Sequence, residues 1–221
     1  MSACCGDMLK QTKIAHAEAA EWLGDLHPLM EQLGSMEGLV TLGAAAALLQ
    51  IPPADNPAAL RLFLQNYRSQ ILLPLELMAV HRAYEHASRN ELSELIALDQ
   101  RLTREPILRE FAAASRRIGQ YQLQRLRPLR DQRFVQRYLQ AVEQGEAHGW
   151  HNLVYGVTLM LYSLPLRQGL MGYARQTLRG FIHCSAHPLR LSEGDCQSLL
   201  DEHCTGLPAA VEGLLTQCDA A

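Results

Sequence analysis

The chain has 221 residues, of which 48% are hydrophobic and 19% are charged, and its formal net charge is −3. This composition is typical of a soluble globular protein, and it excludes a disordered chain and a protein that coats nucleic acid. The length allows one large domain or two small ones.

Nearly every segment has helical periodicity, with Pro or Gly at helix-length intervals. The first predicted helix runs from about Asp7 to Leu23, and a second runs from about Pro28 or Met30 to Gln50. After the turn IPPADNP, Pro57 occupies a first helical position, which its missing N–H favours. Pro74 is expected to end or kink that helix, and a further helix continues toward Ser88.

The next predicted elements are short helices. Asn90 is expected to cap a helix over Glu91 to Leu102. Thr103 followed by Pro106 predicts another helix start, and Pro128 ends that helix. One more helix ends at Gly145.

The longest apolar segment follows, Trp150 to Leu161, and it is interrupted by His151, Asn152 and Gly156. A helix that is apolar nearly all round belongs in the interior. It is too short and too polar at its start to span a bilayer, so no membrane segment is predicted. Gly156 is expected to be a point of close packing, because an interior helical glycine costs about 1 kcal/mol against alanine.

The remaining segments complete an all-α chain. Pro165 starts a long helix that runs out before Pro188. Ser192 with Asp195 resembles a capping box and predicts a helix from Glu193 to Cys204, and Pro208 opens the last helix. We therefore predict about ten helices in one domain, 1–221, with residues 1–27 as an N-terminal helix and 205–221 as a C-terminal helix or tail.

The chain lacks the common catalytic and nucleotide-binding motifs. No GxxxxGK[ST], HExxH, GxSxG or GxGxxG sequence is present, so nothing predicts an enzyme. MSACCGDMLK contains no apolar signal-peptide core, which predicts a cytoplasmic protein. The six cysteines of the chain form no CxxC pair, and we expect them to be reduced thiols. They are Cys4, Cys5, Cys184, Cys196, Cys204 and Cys218.

Histidines and cysteines near the C-terminal end are weak candidates for a metal site. His183 and His187 are four residues apart on one helix, and Cys196 and His203 lie on the next. Such a set suits a zinc or nickel ion. Histidine pairs at this spacing also arise by chance, and free cysteines are commonly core residues. No metal is therefore assigned to the chain, and no cofactor is predicted.

His148 and His151 flank Gly149 where the apolar segment begins. Polar side chains at the start of a buried helix must find partners. They either serve a binding function or join this helix to a neighbouring one.

Positive charge is concentrated in the middle of the chain. Ten arginines lie between Arg101 and Arg137, against Glu105, Glu110 and Asp131, and the only lysines are Lys10 and Lys13. Guanidinium groups bind carboxylates in a bidentate manner, so this region either docks an acidic protein surface or forms solvated helix faces. Nucleic acid is not predicted as a partner, because the net charge is negative and aromatic residues are only 6%.

Several stretches, in order, match motifs of one known family. Leu108–Gly119 is similar to a helix of that family in which an alanine-serine pair is followed by three further residues and then glycine. GEAHGWHNLVYG, 145–156, resembles "GEAPGHHxVVFG". Gly172-Tyr173 falls where the family has "AYLYSWL", and LSEGDCQSLL, 191–200, is similar to "LGQTDGQRLL". Together these stretches resemble the urease accessory protein of the F type (UreF), and the likeness covers roughly residues 33–200.

The resemblance implies a non-enzymatic, all-α, dimer-forming scaffold in nickel insertion into urease. Such a protein binds a D-type (also called H-type) accessory protein, recruits the G-type GTPase and serves the urease apoprotein. In this chain, the resemblance and the charge pattern imply partner contacts at Glu37, Gly38, Arg116, His148, His151, Tyr173, Arg175, Arg179, His187, Asp195 and Gln197.

The N-terminal signature of the family, "PVGxFSxSxGLE", is only partly matched. It corresponds to LGSMEGLV, 33–40, in which Glu37, Gly38 and Leu39 fit. Two alternatives therefore stay open beside the urease scaffold. One is a UreF-like helical interaction module that serves another partner, and the other is a minor metal carrier.

Overall fold

The computed structural model describes residues 43–47 and 49–219, and within them every regular element is helical, which confirms the all-α prediction. The predicted N-terminal helix, Cys4, Cys5, Glu37 and Gly38 lie outside the described residues. After a short helical stretch at 43–47, the helices are α1 Pro57–Tyr67, a π-helical segment Arg68–Leu77, α2 Met78–Ser88, α3 Leu92–Arg104, a 3₁₀ turn Pro106–Leu108, α4 Arg109–Arg125, α5 Arg133–Glu143, α6 His151–Leu161, α7 Leu166–Ala186, α8 Glu193–Cys204 and α9 Leu207–Asp219.

The apolar segment that begins at Trp150 forms the central helix, as predicted. All residues of α6 from His151 to Val157 are buried, as is Leu159. The helix packs mainly against α2 and α4, while α7 packs against α8 and α9. The buried apolar side chains form one continuous core. No helix of the described part is long and apolar enough to cross a membrane.

Gly156 is a point of close approach, as the sequence predicts. A Cβ atom placed there would lie 2.4 Å from the carbonyl oxygen of Val80 and 2.9 Å from the Cβ atom of Ala83. Because α2 contributes backbone to this contact, the neighbour cannot move aside by a simple rotamer change. The absence of a side chain at Gly156 therefore sets how closely α2 and α6 pack.

The first long helix begins where the sequence predicts. Asn56 is its N-cap, and its side-chain oxygen accepts hydrogen bonds from the backbone N–H groups of Ala58 and Ala59, both at 3.0 Å. Pro57 occupies the first helical position. The cap satisfies donors that have no partner inside the helix.

Pro74 does not end this helix, contrary to one of the two expectations. The chain continues in a helical path from Pro57 to Ser88, and Pro74 lies inside the π-helical segment Arg68–Leu77. Proline lacks an N–H donor and its ring crowds the preceding turn. The wider π-helical turn accommodates the ring within a continuous helical path.

Asn90 does not cap α3, so that prediction is wrong. It has a φ of +57° in the turn after α2, and Glu91 is the N-cap of α3. Asparagine tolerates the left-handed conformation because its short polar side chain can form hydrogen bonds with nearby groups of the chain. The Glu91 carboxylate instead lies 2.9 Å from Nδ1 of His86, on α2.

The π-helical segment also buries a carboxyl group that the sequence analysis did not identify. Glu76 is 8% exposed, and the hydroxyl of Tyr67 donates to it at 2.8 Å. Burial raises the pKa of Glu76 to about 7, and the Tyr67 hydrogen bond offsets only part of that rise. The carboxyl group is therefore ionised only in part near neutral pH.

Substitution of Gly156 by alanine is expected to destabilise the fold by about 1–3 kcal/mol, because the added methyl group overpacks the contact with Val80. Gly213→Ala in α9 is the matched control, since nothing lies within 4 Å of a Cβ atom there. It should be neutral or stabilise the protein by up to about 1 kcal/mol. Urea unfolding followed by circular dichroism measures both, and equal effects would contradict this account.

The contribution of Glu76 to the stability of the protein is expected to fall as pH rises from about 5 to about 8, because its pKa is raised in the folded state. The folded protein holds this proton more tightly than the unfolded chain, so the penalty at high pH is roughly 3 kcal/mol. Glu76→Gln stays neutral and still accepts the Tyr67 hydroxyl. Its advantage in unfolding free energy over the wild type should therefore grow with pH, and a difference that is constant with pH would overturn this assignment.

Candidate functional site

A buried carboxylate holds the loop that leads into α6. Asp99 of α3 has no exposed surface. It accepts hydrogen bonds from the hydroxyl of Tyr138 at 2.8 Å and from the backbone N–H groups of His148 at 2.7 Å and Gly149 at 2.9 Å. These bonds join α3, α5 and the loop, and they offset the cost of burying the charge.

Other side chains bind the same loop from both sides. The Gln100 amide donates to the carbonyl of Glu146 at 3.0 Å, and the Gln120 amide donates to the carbonyl of His148 at 2.9 Å. Gly119 of α4 allows the loop to approach, since a Cβ atom there would lie 2.1 Å from the carbonyl oxygen of Gly149. The backbone between α5 and α6 is therefore held rigidly by its neighbours.

His151 lies in the interior and joins α6 to α4. It is 1% exposed, and its backbone N–H donates to the Ser115 hydroxyl at 3.1 Å. Its ring Nδ1 lies 3.1 Å from the side-chain oxygen of Gln122. Its ring stacks on Tyr173 of α7, with centroids 5.6 Å apart. Burial lowers the pKa of His151 to about 3, so the ring is neutral at neutral pH. His151 and Tyr173 thus have almost no surface that a partner could contact.

Arg116 and His148 lie nearer the surface. The Arg116 guanidinium sits 5.2 Å from the centre of the Trp150 ring, and the Trp150 N–H donates to the Thr103 hydroxyl at 3.0 Å. Such a cation–π contact fixes the arginine against the aromatic face. His148 is half-exposed, and its backbone is held by Asp99 and Gln120.

Predicted contact residues come together along the outer side of α7. Arg175, Arg179, His183 and His187 are spaced four residues apart, and all four are exposed. Residues at this spacing lie near one another on a helix surface. The structure therefore gathers three of the predicted contact residues and two of the metal candidates, His187 being both, into a single basic strip, which we call the α7 strip.

An open groove of about 500 Å³ runs between this strip and α8, and we call it the α7–α8 groove. Arg179 and His183 form one rim, and Glu193 and Gln197 form the other. Its apolar lining consists of Ile182, Ala186, Leu191 and Leu200. An apolar lining between polar rims is the usual anatomy of a protein docking site.

The capping box at the start of α8 is confirmed. The Asp195 N–H donates to the Ser192 hydroxyl at 3.1 Å, and the Ser192 N–H donates back to the Asp195 carboxylate at 2.9 Å. Hydrogen bonds from Ser192 lower the pKa of Asp195. Gln197, two residues further on, donates to Asp201 one turn beyond it, at 2.8 Å. Asp195 thus positions the rim of the groove.

The four metal candidates do not gather into one cluster. Within the described residues, no group of three or more His, Cys, Asp or Glu side chains could hold a metal ion. His183 and Cys196 line the same groove, whereas His203 is 7% exposed at the other end of α8 and its carbonyl accepts from Arg68 at 3.1 Å. Burial raises the pKa of the Cys196 thiol, which disfavours the thiolate form that binds metals.

Asp99 is the functional-site residue that the sequence analysis missed. A sequence signal existed, because Leu95, Leu98, Asp99 and Leu102 share the buried side of α3. A charged residue on an apolar helix face predicts a buried hydrogen-bonding role. The groups that donate to its carboxylate are distant in sequence, so the pattern could not identify Tyr138 or the loop as partners.

Comparison with known families gives one match. A family model described as UreF matches residues 54–203, which is about two thirds of the chain. The matched range contains α1 through most of α8 and begins after the partly matched N-terminal signature at 33–40. No curated protein matches the chain.

Asp99→Asn is expected to destabilise the protein by about 3 kcal/mol. The amide NH₂ would replace one carboxylate oxygen and face a backbone N–H donor of His148 or Gly149, leaving buried groups unpaired. Urea unfolding followed by circular dichroism reports the change. Asp131→Asn, at an exposed turn position, is the control and should shift stability by less than about 0.5 kcal/mol. Equal stability of the two variants would show that the loop is held by other contacts.

Proposed function

The chain belongs to the UreF family, and we propose that it is the scaffold on which the nickel-delivery complex of urease assembles. Membership implies a non-catalytic urease accessory role, so the chain is not an enzyme. In our proposal it acts in the cytoplasm as a homodimer. It binds the D-type (also called H-type) accessory protein, recruits the G-type GTPase and brings both to the urease apoprotein.

The observation that supports this proposal is the α7–α8 groove with its basic strip. Arg179 is exposed on the rim, where its guanidinium can reach a carboxylate of a partner. The apolar lining below it offers surface that a partner can remove from water at about 25 cal/mol per Å². Apolar burial beside a directional ion pair gives both affinity and orientation.

The two rims of the groove carry opposite charge. Arg179 and His183 belong to α7, and Glu193 belongs to the first turn of α8. A partner segment that lies along the groove would place an acidic residue toward α7 and a basic or neutral residue toward α8. This asymmetry favours one orientation of the partner over its reverse.

The buried residues His151 and Tyr173 hold the α7–α8 groove in place and are not part of its lining. Tyr173 is on the same helix as Arg179, and its ring packs on His151, so the central helix fixes the inner side of α7. We therefore assign His151 and Tyr173 to positioning the docking surface. Nickel is the cargo of the assembled complex in this proposal, and no residue of this chain is assigned to hold it.

Charge reversal at the groove tests the proposal. Arg179→Glu is expected to weaken binding of the D/H-type or the G-type accessory protein by about tenfold or more, because an attractive contact becomes a repulsive one. Arg137→Glu on α5 makes the same charge change at an exposed site away from the groove and should bind as the wild type does. Isothermal titration calorimetry measures the affinities, with circular dichroism to verify helicity. Equal affinity of both variants for both partners would refute the assignment of the groove.

An alternative is a UreF-like interaction module that serves a different partner. The partial N-terminal signature favours it, since only Glu37, Gly38 and Leu39 of LGSMEGLV fit the family pattern. Restoring urease activity in cells that lack their own F-type protein distinguishes the two. Restored activity supports the urease role, and a folded, expressed protein without any restoration supports the alternative.

A further inference from the structure

A second, smaller groove lies on different helices, between the start of α2 and the end of α3. Its volume is about 220 Å³, and we call it the α2–α3 groove. Leu75 and Met78 come from the π-helical segment and the start of α2, and Leu98 and Leu102 come from α3. None of these residues takes part in the α7–α8 groove.

The floor of this groove is apolar and adaptable. Leu98 and Leu102 are 5% and 7% exposed, whereas Leu75 and Met78 are half-buried and so remain within reach of a partner. Methionine adapts its shape to different apolar groups, which is why it is common at binding surfaces. The Met78 side chain can therefore adapt to an apolar group that enters the groove.

The rim of the groove is positively charged. Arg82 of α2 and Arg101 of α3 are both exposed, and within the described part of the chain neither has a hydrogen-bond or ion-pair partner. Glu105 is the only acidic residue of the lining, and it is half-buried. Two available guanidinium groups from two helices therefore flank the apolar floor, and they would bind carboxylates in a bidentate manner.

The size of the groove indicates what it binds. Small-molecule sites usually enclose about 300–1,000 Å³, so this groove is small for a cofactor. It suits one large apolar side chain of a protein, inserted as an anchor between two helices. A nucleic acid fits less well, because the floor offers aliphatic groups with no aromatic stacking surface.

We propose that the α2–α3 groove docks a segment of a partner protein in which a large apolar side chain is flanked by carboxylates. The apolar side chain enters between Met78 and Leu102, and the carboxylates bind Arg82 and Arg101. This inference goes beyond the proposed urease function, since it concerns a different surface and does not depend on which complex the partner belongs to.

The test uses the full-length protein and a fluorescein-labelled helical peptide. The peptide carries one phenylalanine with a glutamate one turn before it and one turn after it. Fluorescence anisotropy should show saturable binding at low salt. Arg82→Gln combined with Arg101→Gln should weaken binding about tenfold or more, because two charge-assisted contacts are lost. Arg137→Gln, an exposed arginine of α5, is the matched control and should bind as the wild type does.

Two altered peptides examine the two halves of the recognition. Replacing both glutamates by glutamine tests the charge, and replacing phenylalanine by alanine tests the apolar floor; each should weaken binding about fivefold or more. Undetectable binding of the original peptide, or equal binding to the double variant and the control, overturns the proposal. Tighter binding of a poly-uridine oligonucleotide that is lost in the same double variant also overturns it and identifies a nucleic-acid surface. The Arg179→Glu experiment is independent of all these outcomes.

Discussion

The buried carboxylate of Asp99 is the interaction on which the centre of the molecule depends. It accepts three hydrogen bonds from a side chain of α5 and from two backbone N–H groups of the loop before α6. A buried charge is stable only when its acceptor sites are occupied, so the loop must adopt one conformation for the protein to fold. That conformation sets where α6 begins, and α6 is the helix against which α2 and α4 pack.

The positions of the outer helices depend on the loop and on α6. Close approach at Gly119 and Gly156 brings the loop and α2 against their neighbours, and the stacked rings of His151 and Tyr173 fix the inner side of α7. The outer side of α7 is then presented beside α8, whose first turn is fixed by the Ser192–Asp195 capping box. A scaffold that must recognise partners benefits from such rigidity, because less conformational entropy is lost on binding. The family match, over residues 54–203, covers the elements that build this arrangement.

Much of the fold was predictable because its determinants are local. Periodicity, the proline at the start of α1 and the capping box of α8 each act within a few residues, and the apolar run around α6 shows that it is buried. A helix end at Pro74 and a cap at Asn90 were wrong expectations, because the outcome depended on tertiary context. The proline lies inside a π-helical segment, and the asparagine adopts a left-handed turn conformation. The partners of Asp99 were not predictable, since they are 39 to 50 residues away, although its place on an apolar helix face indicates a buried role. The family resemblance and the charge pattern predicted partner contacts at Arg175, Arg179 and His187, which stays a prediction, and only the folded structure shows the groove beside them.

The most direct test of the central claim is size-exclusion chromatography with light scattering. The protein is run alone, with the D/H-type accessory protein, and with that protein and the G-type GTPase together, all from the same source. A urease scaffold should elute as a dimer and then shift into a stable larger complex whose mass accounts for each added partner. Unchanged elution in the presence of both partners would contradict the account of this chain as the scaffold of nickel delivery.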